Sequence, residues 1–249
     1  MSLLPPYVHS SWVELLDKPG FKETIDDIEK QIQNPPKQHS LPGAGNHPYF
    51  PQTGKVMRFM ERDIKTIRCV MLGMEPYPSC YTDENGNVLP VATGRSFEVA
   101  DVDSWQQKFK QSSLRNILKT IYYNKTGNIK SLEDIRSEIA GGKFPISQPH
   151  EWFDNLEQQG VLFLNATLTV EPGHPDSHTA LWKPVMDDII RYINKKTGAK
   201  WLLLGNKAQN RVAGVIGNSD RIYKCCHPRL PGFVEENIFQ YVPDVRWEC

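Results

Sequence analysis

The chain has no surplus of either charge, no apolar run of the length a membrane helix needs, and no cysteine pair at CxxC spacing. Lysine plus arginine and aspartate plus glutamate both number 29 in 249 residues, so no molecule-wide field draws it towards a polyanion and any such binding must be local. A helical span takes about 20 consecutive apolar residues, and none is present. The opening MSLLPPYVHSSWVELL lacks a basic stretch followed by an apolar core. No secretory signal is therefore read, and a soluble, cytoplasmic protein with no membrane partner is the expectation. The five cysteines, Cys69, Cys80, Cys225, Cys226 and Cys249, are odd in number, which argues against a disulfide framework and against a zinc site. Internal repeats, low-complexity tracts and anything resembling an interdomain linker are also missing, so one domain over residues 1–249 is expected.

What is present is the make-up of a globular protein, with 39% hydrophobic and 10% aromatic residues, enough to build a core. Residues 1–60 carry helical patterns, Trp12, Leu15 and Leu16 and then Ile25, Ile28 and Ile32, broken by the proline-rich NPPKQHSLPGAGNHPYFP. They read as a packed helical extension with a long ordered loop. Four short apolar runs follow: TIRCVML at 66–72, GVLFLNATLTV at 160–170, KWLLLG at 200–205 and RIYKCC at 221–226. Each has the length and residue types of a buried strand, with Cys69 and Cys225 as small core residues inside them. Between them, Leu114, Ile117, Leu118 and Ile121 form one helical apolar face, capped by Ser112 or Ser113. Leu181, Val185, Ile189, Ile190 and Ile193 form another. Strands alternating with helices predict an α/β fold, a three-layer α/β/α sandwich around a central four-stranded, largely parallel sheet.

In such sheets a ligand sits beyond the carboxyl ends of the strands. The first strand runs into GMEPYP, the second reaches Asn165, the third ends at Gly205 and the fourth is followed by HPRLPG. An acid, an amide and an imidazole therefore converge on one rim. Asn165, inside an apolar run, must have partners: either a structural hydrogen bond to a neighbouring loop or the planar edge of a nucleobase. His227 either caps the sheet or donates to an oxygen that gains charge. Glu75 is either a solvated loop acid or a positioned carboxylate, and the flanking Pro76 restrains its backbone. Tyr77, between Pro76 and Pro78, has a limited range of ring directions. His174 and His178 stand four apart, but Pro175 and the turn-prone EPGHPDSH make a helix there unfavourable and no third ligand is evident. Phosphate contact by Ser177 and His178 fits better than a metal.

Taken in order, these segments resemble the family 1 uracil-DNA glycosylases. GMEPYP stands in the place of that family's water-activating GQDPYH. GRSFEV resembles its uracil-stacking phenylalanine segment, SSLRNIL its serine-leucine-x-asparagine helix start, and QQGVLFLNATLTVEPGHPDSH its strand ending in the uracil-reading asparagine. LLLGNKAQ resembles the fourth-strand glycine segment and CCHPRLPGF the histidine-proline loop. The resemblance runs from about Trp12 to the C-terminus. It implies hydrolysis of the N-glycosidic bond of uracil in single- or double-stranded DNA after base flipping, as in base excision repair, with no metal or cofactor. It also implies a monomer and a DNA-mimicking protein inhibitor as a further partner. In that frame Glu75 and His227 are catalytic, and Met74 (through its backbone), Tyr77, Phe97 and Asn165 hold the uracil. Ser112, Ser113, Ser177, His178 and Arg229 contact DNA, and either Leu230 or Pro231, the latter standing where the family places its leucine, fills the space the base leaves.

Three departures from the family pattern stand out. Glu75 is one methylene longer than the family's aspartate, a displacement of about 1 Å that can cost roughly 100-fold unless the loop compensates. Pro78 replaces the motif's histidine. The 79–94 segment is longer than expected and is either an added contact or an idle surface loop. Two other readings remain at this level: a uracil-DNA binding or scaffold protein with little turnover, and an unrelated α/β enzyme acting on a small molecule.

Overall fold

The computed structural model describes residues 2–33 and 47–249; of the proline-rich loop expected at 34–51, residues 34–46 lie outside them. The strands are β1 (Cys69–Gly73), β2 (Cys80–Thr82), β3 (Val88–Pro90), β4 (Val161–Asn165), β5 (Lys200–Leu204) and β6 (Ile222–Cys225). The helices are α1 (Val13–Leu16), α2 (Phe21–Gln33), α3 (Ser112–Thr126), α4 (Leu132–Ala140), α5 (Pro149–Gln158), α6 (Thr179–Lys196), α7 (Asn206–Ile216) and α8 (Phe233–Glu236). The main sheet runs β4-β1-β5-β6 with every neighbouring pair parallel. The four apolar runs are its four strands, so the expected α/β sandwich is the fold found.

Side chains alternate across a strand, and here that alternation divides the core. Val70, Leu72, Leu162, Leu164, Trp201 and Leu203 face one layer, where they meet α6 through Trp182, Val185 and Ile189 and α7 through Val212. Trp12, Ile25, Ile28 and Ile32 belong to that same core, so the N-terminal helices pack against this layer. Cys69, Met71, Val161, Phe163, Leu202 and Cys225 face the other layer, built from Leu114, Ile117 and Ile121 of α3 and Trp152, Phe153 and Leu156 of α5. Burial raises the Cys69 and Cys225 thiols well above the usual cysteine range, so both are inert core residues. Among the described residues no helix is long and apolar enough to cross a membrane.

One local expectation is corrected. The α3 helix is not capped by a serine hydroxyl: its N-cap is Gln111, which makes no capping hydrogen bond, and Ser112 is already helical. The amides of its first turn therefore have no side-chain cap. The 79–94 segment contains an antiparallel hairpin, β2 and β3. Asp83 ties its turn, accepting the N–H groups of Asn85 at 3.0 Å and Asn87 at 2.7 Å, an Asx arrangement that suits a short polar turn.

Candidate functional site

The site begins where β1 and β4 end side by side, with Gly73 paired to Asn165. Glycine is required there by space: a Cβ on Gly73 would lie 2.6 Å from Asn165 Oδ1 and 2.7 Å from the Ser96 Cβ. Asn165 is 3% exposed. Its side chain borders a cavity, where the amide can meet a ligand.

That cavity measures about 210 Å³ and is lined by Glu75, Tyr77, Phe97, Ser113, Asn165 and His227 together with Met74 and Arg95. Pockets for drug-sized ligands run from roughly 300 Å³ upwards, so this one suits a single-ring base. Phe97 forms one wall. Its φ of +67° is unusual for a bulky residue and must be imposed by its surroundings. On one side the Ser96 hydroxyl donates to Met71 O at 3.0 Å. On the other the buried Arg95 guanidinium donates to Glu157 Oε1 at 2.9 Å and to Glu98 Oε1 at 3.0 Å, and reaches Asp154 Oδ1 at 2.5 Å. Tyr77 forms another wall, its phenol pushed above the ordinary tyrosine range by burial.

His227 follows β6. Its Nδ1 accepts the N–H of Arg229 at 3.1 Å, so in the neutral ring the proton sits on Nε2. Burial first, and the Arg229 charge second, hold its pKa below the usual histidine range, which keeps it a neutral donor. The approach of the ring depends on Gly205, where a Cβ would come within 3.0 Å of the His227 Cβ. The loop is stapled to α3 by Asn116, whose side-chain N–H₂ donates to Pro228 O at 2.6 Å.

Glu75 is half-buried, and burial raises its pKa above the usual glutamate range. Its Oε2 accepts the backbone N–H of Asp176 at 2.8 Å. The Asp176 carboxylate in turn meets Lys207 Nζ at 3.0 and 3.1 Å. A wider hollow of about 510 Å³ adjoins the small cavity, bordered by Glu75, Lys207, His227, Arg229 and Leu230. Leu230 is 45% exposed on its lip.

The remaining expected residues lie around this centre. Ser113 reaches the cavity from the first turn of α3, with Ser112 just before it at the helix start. Ser177 is exposed and its hydroxyl accepts the Glu171 N–H at 2.8 Å. His178, at 7% exposed, is turned inward, with Nδ1 at 2.9 Å from Thr169 Oγ1. Arg95, Asn116, Asp176 and Lys207 escaped the sequence reading. All four nevertheless stand inside segments it had singled out: GRSFEV, SSLRNIL, HPDSH and LLLGNKAQ.

No protein-family model matches the sequence. Curated relatives do. The chain is 30% identical over 237 residues to the uracil-DNA glycosylase of Helicobacter pylori strain J99, covering 93% of this chain and 88% of that one. It is 30% identical over 182 residues to the uracil-DNA glycosylase of Buchnera aphidicola, covering 72% and 68%. Its fold is similar to the wild-type UNG crystal structure from Nitratifractor salsuginis, with TM-score 0.70, 20% identity and coverage of 97% and 92%. A mimivirus UNG variant solved in complex with UGI aligns with TM-score 0.61, 19% identity and coverage of 91% and 71%. An amide, an imidazole and a carboxylate around a base-sized cavity, together with relatives aligned along most of their length, give one conclusion: the chain belongs to the uracil-DNA glycosylase family.

Proposed function

We propose that this protein hydrolyses the N-glycosidic bond of uracil in DNA, with Glu75 and His227 as its catalytic residues. The observation that carries the reading is the meeting of Glu75, Phe97, Asn165 and His227 on one cavity of about 210 Å³. A base inside a duplex cannot reach such a cavity, so the nucleotide must first be flipped out. Phe97 then stacks on the ring, and the Asn165 amide pairs with the donor-acceptor edge of uracil, which has both partners to offer. Tyr77 occupies the space a thymine methyl would need.

As the bond from the sugar to uracil N1 breaks, its electron pair leaves with the base and negative charge grows on O2. In this reading the His227 Nε2–H and the backbone at Met74 meet that charge. The sugar becomes oxocarbenium-like. An ionised Glu75 stabilises that cation and orients the water that bonds to the anomeric carbon, taking up the water's proton and leaving an abasic site. Ser112, Ser113, Ser177 and Arg229 hold phosphates, which fixes position without reading sequence, and Leu230 enters the vacated stack; His178, expected among the phosphate contacts, is turned inward onto Thr169 and is left out of that set. Water and these side chains complete the reaction without a cofactor. The reading takes residues 1–249 as one unit working as a cytoplasmic monomer on single- or double-stranded DNA. The mimivirus UNG solved with UGI supports a protein that mimics DNA as a second partner for the same rim.

Incubation with single- and double-stranded oligonucleotides containing one uracil, followed by alkali, is expected to break the strand at the uracil. Folded protein in excess over DNA that yields no break contradicts the proposal.

A further inference from the structure

Glu75 stands where the resemblance expects an aspartate, and its surroundings match the longer side chain. The carboxylate ends against the N–H of Asp176 at 2.8 Å. An aspartate would end about 1.5 Å nearer its own backbone, beyond good hydrogen-bond distance of that donor. The donor cannot easily follow, because its turn is fixed from three sides. Gly173 N–H donates to Pro78 O at 2.8 Å, riveting the turn to the loop that carries Glu75. The Ser177 hydroxyl accepts the Glu171 N–H at 2.8 Å, closing the turn on itself. Lys207, from the start of α7, grips the Asp176 carboxylate with Nζ at 3.0 and 3.1 Å. Asp176 has a φ of +64°, a left-handed conformation that aspartate tolerates far better than most side chains. That conformation aims the N–H at Glu75.

We infer that Asp176 is a positioning residue for base release, and that this turn, pinned by Lys207, builds the site around a glutamate in place of an aspartate. The inference rests on Glu75 being the reacting carboxylate. It explains how the extra methylene is absorbed: the longer chain is held at its far end by a fixed donor, so the carboxylate does not drift. The charged and titratable groups around Glu75 are Asp176 and Lys207 from the turn and α7, and His227 and Arg229 across the adjoining hollow.

The test is steady-state base release by the full chain, which gives kcat and KM, with single-turnover rates on the same preparations and folding of each variant checked by thermal melting. Glu75→Asp, although it restores the family residue, is expected to lower kcat about 100-fold with little change in KM, the scale expected for a misplacement near 1 Å. Asp176→Val, strained in the left-handed region, is expected to lose kcat. Asp176→Gly keeps the N–H and adopts that conformation freely, and is expected to retain at least about tenfold more than Asp176→Val. Lys207→Gln, a surface change, removes a charge that favours the ionised carboxylate and is expected to move the acidic limb of kcat to higher pH. Glu75→Asp as fast as the native chain or faster overturns the inference, as do equal rates for the two Asp176 variants or an unmoved acidic limb. Glu75→Gln run alongside separates the two claims: at native rate it removes Glu75 from catalysis and takes the inference with it, whereas an inactive Glu75→Gln beside a fully active Glu75→Asp refutes the inference alone.

Discussion

At the scale of single residues, Glu75 and His227 are shifted in opposite directions by the same burial. Burial disfavours the charged form of each, raising the pKa of Glu75 and lowering that of His227. In the proposed reaction Glu75 acts as the carboxylate, so kcat is expected to fall as pH drops through its raised pKa, which lies above the usual glutamate value of about 4.3. In the proposed reaction His227 acts as a neutral donor, and burial, which lowers its pKa below the usual histidine range, favours that form. A plot of kcat against pH is therefore expected to show an acidic limb above the usual glutamate range and no step at ordinary histidine pH. A limb centred near 6.5 that disappears in His227→Ala would assign the titration to the wrong residue. Glu75 and His227 were legible from sequence because each follows a strand end, where α/β sheets put chemistry. Asp176 was not, since it meets Glu75 across 101 residues of chain through a backbone N–H, and a main-chain donor leaves no mark in residue type.

At the scale of elements, the loop carrying Phe97 depends on a buried ion network as much as on apolar packing. The side chains of Arg95 and Glu98 are only 5% and 4% exposed, and Arg95 also binds Glu157 and Asp154. Removing one member of a buried pair leaves a desolvated charge and typically costs about 3–5 kcal/mol. Arg95→Ala is therefore expected to lower stability by about that amount in urea unfolding, and to weaken uracil binding as Phe97 relaxes from its left-handed φ. A loss below about 1 kcal/mol would mean the network is ornamental. The strands were legible as short apolar runs of Val, Ile, Leu and aromatic residues, and the structure keeps all four with trimmed ends. The hairpin of β2 and β3 was not, because its three-residue strands end in proline or threonine and pair only with each other. The helical face of α3 was read correctly and its cap was not: two adjacent serines offered a hydroxyl, yet the chain turns at Gln111 and leaves both within the first turn.

At the scale of the whole molecule, equal numbers of acidic and basic residues, 29 each, make DNA affinity a property of the rim rather than of the molecule. Each phosphate neutralised contributes a slope of about −0.9 in a plot of log K against log salt on duplex DNA. A few contacts from the rim predict a shallow slope, about −2 to −4, measured with duplex lacking uracil. A slope near −10 would require a basic surface that the composition does not supply. The central claim is that this rim releases uracil through Glu75. Its most direct measurement is single-turnover base release by the native protein and by Glu75→Gln, with binding to uracil-containing DNA measured on the same preparations. The account predicts rapid release by the native chain, a drop of at least about 100-fold in the variant, and DNA binding nearly equal in the two. Equal rates of release, or release by neither, would contradict it.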